Sequence, residues 1–216
     1  MSIQRVEVFG QQLVLHPEKA MYWETQNLLL IGDLHLGKAA HFRKNGIAVS
    51  HAVMDANFDR LSKLMAHFDP GGVLFLGDLF HSDYNLAWEY LVEWMKNYPD
   101  CRFELVQGNH DSLSDELYQR AGLHVYQEPL HYPPFYFTHH PMEDVPADGY
   151  NLAGHIHPGV FLKGLARQRV KLPCFWFGPN QGLIPAFGTF TGLGIIQIKA
   201  EDRVFVVAEE SVIPIQ

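Results

Sequence analysis

The chain reads as an α/β fold built on two sheets, and three observations carry that prediction. Short continuous apolar runs alternate with segments of helical periodicity through the first half. Each of those runs ends at or near a glycine that is followed by a polar residue. The second half loses helical periodicity after about Gln119 and turns to short strand candidates separated by Pro- and Gly-rich loops. Apolar residues make up 47% of the 216 residues, enough for a large core, and charged residues only 19%, which excludes a disordered chain. One domain over residues 1–216 is expected.

The elements follow in order. Val6 to Phe9 and Leu13 to Leu15 flank Gly10 and predict a hairpin. Leu28 to Ile31 before Gly32, Val73 to Leu76 before Gly77 and Phe103 to Val106 before Gly108 predict strands buried on both faces. Between them, Val53 to Phe68 carries Phe58, Leu61, Leu64 and Met65 on one helical face. Leu86 to Tyr98 carries Trp88, Leu91, Val92 and Met95 in the same way. A third helix is expected from Ser112 to Arg120, with Asn109 and Asp111 both suited to cap it. Phe135 to Phe137, Gly194 to Ile198 and Val204 to Val207 predict strands of a second, more antiparallel sheet.

Charge and cysteine usage narrow the function classes. The net charge is -8, with 24 acidic and 16 basic residues, so there is no general attraction for DNA or anionic membranes. Any hold on nucleic acid must be local. Cys101 and Cys174 form no C-x-x-C motif and predict small buried groups in a reducing compartment. Met1 to Val8 alternates like a strand, and no stretch has transmembrane length, so a cytoplasmic location and no membrane contact are expected.

Five clusters of metal-ligand residues then stand out: Gly32-Asp33-Leu34-His35, Gly77-Asp78-Leu79-Phe80-His81, Gly108-Asn109-His110-Asp111, Phe137-Thr138-His139-His140-Pro141 and Gly154-His155-Ile156-His157. The first three follow the buried strands, at the carboxyl edge where open α/β sheets place ligands. Asp33 and His35 point the same way if their segment is extended, as do His155 and His157. Asp, Asn and His donors suit Mn²⁺, Fe²⁺ or Zn²⁺ better than Ca²⁺ or Mg²⁺. Each cluster alone is weak, but five in this order rarely arise by chance.

The series D-x-H, G-D, G-N-H-D, H and G-H-x-H resembles the calcineurin-like metallophosphoesterases, over Gly32 to His157. The resemblance implies a four-layer sandwich, two packed mixed β-sheets flanked by helices. It implies two divalent metal ions, Mn²⁺ first among the candidates, and hydrolysis by a metal-bridging hydroxide. Residue by residue, it gives Asp33, His35 and His157 to the first metal, Asn109, His139 and His155 to the second, and Asp78 to both. His110 takes the place of the catalytic histidine, with Asp111 beside it to hold its tautomer or favour its protonated form. His140 competes with His139, which is preferred because it directly follows the strand.

Gly32 to Lys38, His41 to Arg43, Leu172 to Trp176 and Pro185 to Gly192 are similar to the bacterial ligase-associated DNA-damage-response branch of that family. That narrower resemblance implies a phosphodiester substrate, with DNA as a candidate, and association with a DNA ligase, a helicase and an exonuclease. Lys38, Arg43, His81 and Arg169 are candidate substrate contacts. The segment Phe187 to Gly192 is expected either to line the site through its backbone and hydroxyl groups or to form a tight turn pinned by two core aromatics. Exposure of Phe175 and Trp176 together would mark a partner surface. The alternatives are a phosphatase or nucleotidase acting on a small phosphorylated metabolite, and a non-catalytic scaffold, which should lack part of the ligand set.

Overall fold

The computed structural model describes residues 1–37, 52–80, 86–163, 169–189 and 191–216. Two mixed sheets pack face to face, of seven and nine strands. The first contains β1 (Gln4–Val8), β2 (Gln11–His16), β3 (Ala20–Trp23), β4 (Leu28–Gly32), β5 (Gly72–Leu76), β6 (Arg102–Val106) and β7 (Leu123–Tyr126), in that spatial order. The hairpin expected around Gly10 joins β1 to β2. The strands β4 to β7 run parallel. They are connected through α1 (Ala52–Phe68), α2 (Leu86–Met95) and α3 (Asp115–Arg120), so the expected βαβαβ unit forms and gains a fourth parallel strand.

Strand alternation explains why the apolar runs are continuous. Leu29, Ile31, Val73, Phe75, Phe103 and Leu105 face the helices, where Leu61, Leu64, Met65, Trp88 and Leu91 meet them. Leu28, Leu30, Leu74, Leu76 and Val106 face the second sheet, against Phe135, Phe137, Leu152, Phe175 and Phe177. Both faces of these central strands are covered, which favours apolar residues at every position, and Glu104 of β6 is the polar exception, buried and paired with Arg102, Tyr126 and Tyr132.

The second sheet holds β8 (Leu130–Tyr132), β9 (Phe135–Thr138), β10 (Tyr150–Ala153), β11 (Pro158–Lys163), β12 (Arg169–Phe177), β13 (Gln181–Leu183), β14 (Gly194–Ile195), β15 (Arg203–Ala208) and β16 (Ser211–Pro214). Most of its pairs are antiparallel, but β9 and β13 both lie parallel to β10. The parallel pair β9–β10 matters because both strands then end at the same edge as β4, β5 and β6. Among the described residues, the helices cover one outer face of the sandwich. The outer face of the second sheet carries a smaller cluster of Val160, Cys174, Val204 and Val206.

Three boundaries differ from expectation. The second helix ends at Met95, because the chain turns before Pro99. The third begins only at Asp115, with Ser114 preceding it, so Asn109 and Asp111 are not its caps. Gly194 to Ile198 pairs only over its first two residues. Phe175 is fully buried between the sheets, so it forms no exposed patch with Trp176. No helix among the described residues is long and apolar enough to cross a membrane.

Candidate metal centre

The five clusters meet at the carboxyl edge of the parallel strands. Asp33 and His35 follow β4, Asp78 follows β5, Asn109 and His110 follow β6, His139 follows β9, and His155 and His157 lie between β10 and β11. Asp33, His35, Asp78, Asp111 and His139 are buried, while Asn109 and His110 stand at the exposed rim. Hydrogen bonds from His35 N–H to the Asp78 carbonyl (2.8 Å) and from Leu36 N–H to the Leu79 carbonyl (2.9 Å) lock the first two loops together.

The segments are not extended, contrary to the expectation drawn from their D-x-H and H-x-H spacing. Asp33, His35, Asp78, His155 and His157 all have positive φ, between 48° and 63°. Left-handed backbone at non-glycine residues costs on the order of 1–3 kcal/mol each and persists where surrounding contacts over-determine it. The alternate residues converge because each loop coils back on itself. Here His155 N–H reaches both carboxylate oxygens of Asp33, at 3.2 and 3.0 Å.

The donors form two sets that share Asp78. In one, His157 Nε2 lies 3.2 Å from Asp33 Oδ1 and 3.4 Å from His35 Nε2, and His35 Nε2 lies 3.7 Å from Asp78 Oδ2. In the other, His139 Nε2 lies 3.1 Å from Asn109 Oδ1, 3.1 Å from His155 Nδ1 and 3.4 Å from Asp78 Oδ1. One oxygen of Asp78 therefore faces each set.

Ring orientation decides the chemistry of these sets. His139 Nδ1 is 3.2 Å from the Leu76 carbonyl, and His157 Nδ1 is 3.2 Å from the Gly192 carbonyl. A carbonyl can only accept, so each Nδ1 carries a proton, and Nε2 is the ring nitrogen left facing the site, able to offer a lone pair. Burial, then the neighbouring His139 and His140, lower the His155 imidazole below its ordinary value. Ring nitrogens, an amide oxygen and carboxylate oxygens thus face one another. Acceptors repel at such distances unless a cation lies between them, so this donor chemistry fits two divalent ions.

Gly77 makes room for the second set. Its φ is +72°, and a Cβ there would stand 2.2 Å from His139 Nδ1. Gly77→Ala is expected to expel the His139 ring, cost about 1–3 kcal/mol and lower the bound metal content. Melting temperature and elemental analysis of the purified variant check this.

His139 sits at the centre of its set, fully buried. His140 is exposed, and its Nδ1 turns to Glu128 Oε1 at 2.8 Å, although its ring stays close enough to share a group with His139 and His155. Glu128 Oε2 also accepts the N–H groups of His139 (2.7 Å) and His140 (3.0 Å). Sequence reading missed Glu128, which carries no motif and acts on backbone, as do the carbonyls of Leu76 and Gly192.

His110 lies at the rim, its ring 5.9 Å from that of His35, and its backbone N–H donates to Asp78 Oδ1 at 3.0 Å. Asp111 is bound to two backbone N–H groups. Its carboxylate accepts from Phe80 N–H at 3.2 Å and from Gly108 N–H at 2.9 Å, tying the loop after β6 to the loop after β5. Burial pushes this carboxyl up to about 7, against the pull of those N–H groups.

Of the candidate substrate contacts, Lys38, Arg43 and His81 lie outside the described residues. Arg169 pairs with Lys163, at the far end of β11 from His157. That is about 17 Å of extended strand from the donor sets, so the structure does not bring Arg169 to them. Of the segment Phe187 to Gly192, Phe190 lies outside the described residues, while Phe187 and Gly188 touch the site through backbone: Phe187 N–H bonds the Gly32 carbonyl (2.8 Å) and Gly188 N–H bonds the Asp33 carbonyl (3.1 Å). The Phe187 side chain is a core aromatic as well.

Comparison with known proteins agrees with this arrangement. The crystal structure of Pseudomonas putida nuclease MPE matches with a TM-score of 0.84 and 31% identity, over 99% of this chain and 100% of that one. An Escherichia coli phosphoesterase, Yfce, matches with a TM-score of 0.43 and 15% identity, over 86% of this chain and 96% of that one, too low a likeness to bear on the argument. No curated protein matches the chain. The family model described as calcineurin-like phosphoesterase matches residues 27–178, well over half of the chain and all five clusters. The chain belongs to the calcineurin-like phosphoesterases.

Proposed function

We propose that this protein is a dinuclear metal-dependent phosphodiesterase acting as a nuclease, with DNA as the substrate class and Mn²⁺ as the preferred ion. The observation that carries this reading is the pair of nitrogen and oxygen donor sets, one at each oxygen of Asp78. Asp33, His35 and His157 would hold one ion and Asn109, His139 and His155 the other. When bound, the ions would supply Lewis acidity toward phosphate oxygens and make water a nucleophile at neutral pH. They would also give an otherwise acidic chain a local attraction for phosphate. His110, exposed beside the first set, would protonate the leaving oxygen or donate to a phosphate oxygen. Asp111 holds the His110 loop in register with the Asp78 loop.

The diester preference is supported by the likeness to a nuclease along nearly the whole chain. A role in DNA repair is the extension of that preference drawn from the ligase-associated resemblance.

The test is to strip the protein with chelator, reload it with Mn²⁺, and assay bis-p-nitrophenyl phosphate, p-nitrophenyl phosphate and plasmid DNA. Diester and DNA cleavage restored by metal is the expected result. Monoester turnover alone would replace this reading with a small-molecule phosphatase, and metal binding with no turnover would replace it with a scaffold.

A further inference from the structure

We propose that Arg60 is a positioning residue for Asp33, acting through the Phe187–Gly188 peptide. The inference rests on the reading of Asp33 as a metal ligand.

Arg60 lies on α1, on the far side of the Phe187 to Gly192 loop from the donor sets. Its Nη1 donates to the Phe187 carbonyl at 2.8 Å, and its guanidinium stacks 3.8 Å above the Phe187 ring. Glu18 orients the fork: Nε bonds its carboxylate and Nη2 its carbonyl, the latter at 2.6 Å. Lys19 Nζ reaches the next carbonyl, Gly188, at 3.1 Å.

The Phe187 carbonyl and the Gly188 N–H belong to one peptide unit. Arg60 holds its oxygen while its N–H donates to the Asp33 carbonyl at 3.1 Å. A cation on the oxygen polarises the unit and strengthens the bond at the other end. That bond pins the backbone just after a residue whose φ is +48°. The loop lies so close that a Cβ at Gly188 would stand 2.7 Å from the Leu34 carbonyl. It also continues to Gly192, whose carbonyl sets the ring of His157. One half-buried guanidinium thus braces the peptide that pins the backbone of Asp33.

The cost of this brace points to its use. Two cations lie side by side beneath one loop, and burial, then the charge of Arg60, bring the Lys19 ammonium down to about 7. Buried ionic groups are often replaceable by apolar ones without loss of stability, so a brace of this kind is best explained by the geometry it imposes.

The test titrates Mn²⁺ into metal-free protein by calorimetry, beside melting curves of the metal-free forms. Arg60→Lys keeps the charge but loses the fork, and Glu18→Gln loosens the guanidinium without removing it. Both are expected to fold, with Mn²⁺ affinity lowered about 10–100-fold for Arg60→Lys and less for Glu18→Gln. Phe58→Ala on the same helix is expected to lower the melting temperature and leave Mn²⁺ affinity unchanged. Wild-type affinity in both folded variants overturns the inference, as does an equal loss in Phe58→Ala. Absence of Mn²⁺ binding in the wild type would overturn the metal reading itself.

Discussion

Asp78→Asn is expected to lose most of its bound metal and at least about a thousandfold in turnover. Asp78 presents one oxygen to each donor set, and asparagine has one oxygen and two N–H donors. Whichever way the amide turns, one set receives a donor where it needs a lone pair. The charge lost also halves the pair of carboxylates, Asp33 and Asp78, that neutralise two divalent ions. Lewis-acid stabilisation is worth several kcal/mol, and about 4 kcal/mol corresponds to three decades of rate. Metal-to-protein ratio and kcat on a diester check this together. Wild-type metal content with wild-type rate would remove Asp78 from the centre of the site. The metal-free variant should melt no lower than metal-free wild type, because it carries one less buried charge.

His110→Ala is expected to separate metal binding from catalysis. The backbone N–H that His110 gives to Asp78 survives the change, and the exposed imidazole makes no part of either donor set. Metal content should therefore match wild type, while kcat falls about 10²–10⁴-fold, the range for a positioned general acid. The loss should be larger for DNA or an alkyl diester than for a p-nitrophenyl ester, whose leaving group needs little protonation. A kcat within about threefold of wild type would exclude His110 from proton transfer, and a uniform loss across leaving groups would move its role to a phosphate oxygen.

The buried runs at Leu28 to Ile31 and Val73 to Leu76 were legible because strands covered on both faces need no polar alternation, and Phe103 to Val106 was legible despite Glu104, which is buried against Arg102 and two tyrosines. The helical stripe of Leu61, Leu64 and Met65 was legible for the same reason in another period. The second sheet was far less so. Strands such as β10 and β13 are only four and three residues long, and β10 finds both its partners, β9 and β13, in distant parallel strands. The third helix was placed too early, because Asn109 and Asp111 look like caps while their side chains serve the site and the neighbouring loop.

The sequence by itself determined the chemistry: which side chains supply oxygen and nitrogen donors, in what order, and which strands carry them to one edge. Local composition and periodicity suffice for that, since both are properties of neighbouring residues. Only the tertiary structure decided how those donors aim. The left-handed backbone at five of them, the division of Asp78 between two sets, and the choice of His139 over His140 at the centre all depend on contacts between distant segments. So do the carbonyls of Leu76 and Gly192 that turn two rings, and the guanidinium of Arg60 behind the loop at Phe187. Backbone groups are the same in every residue, so a sequence cannot announce which of them will hold a given side chain in place.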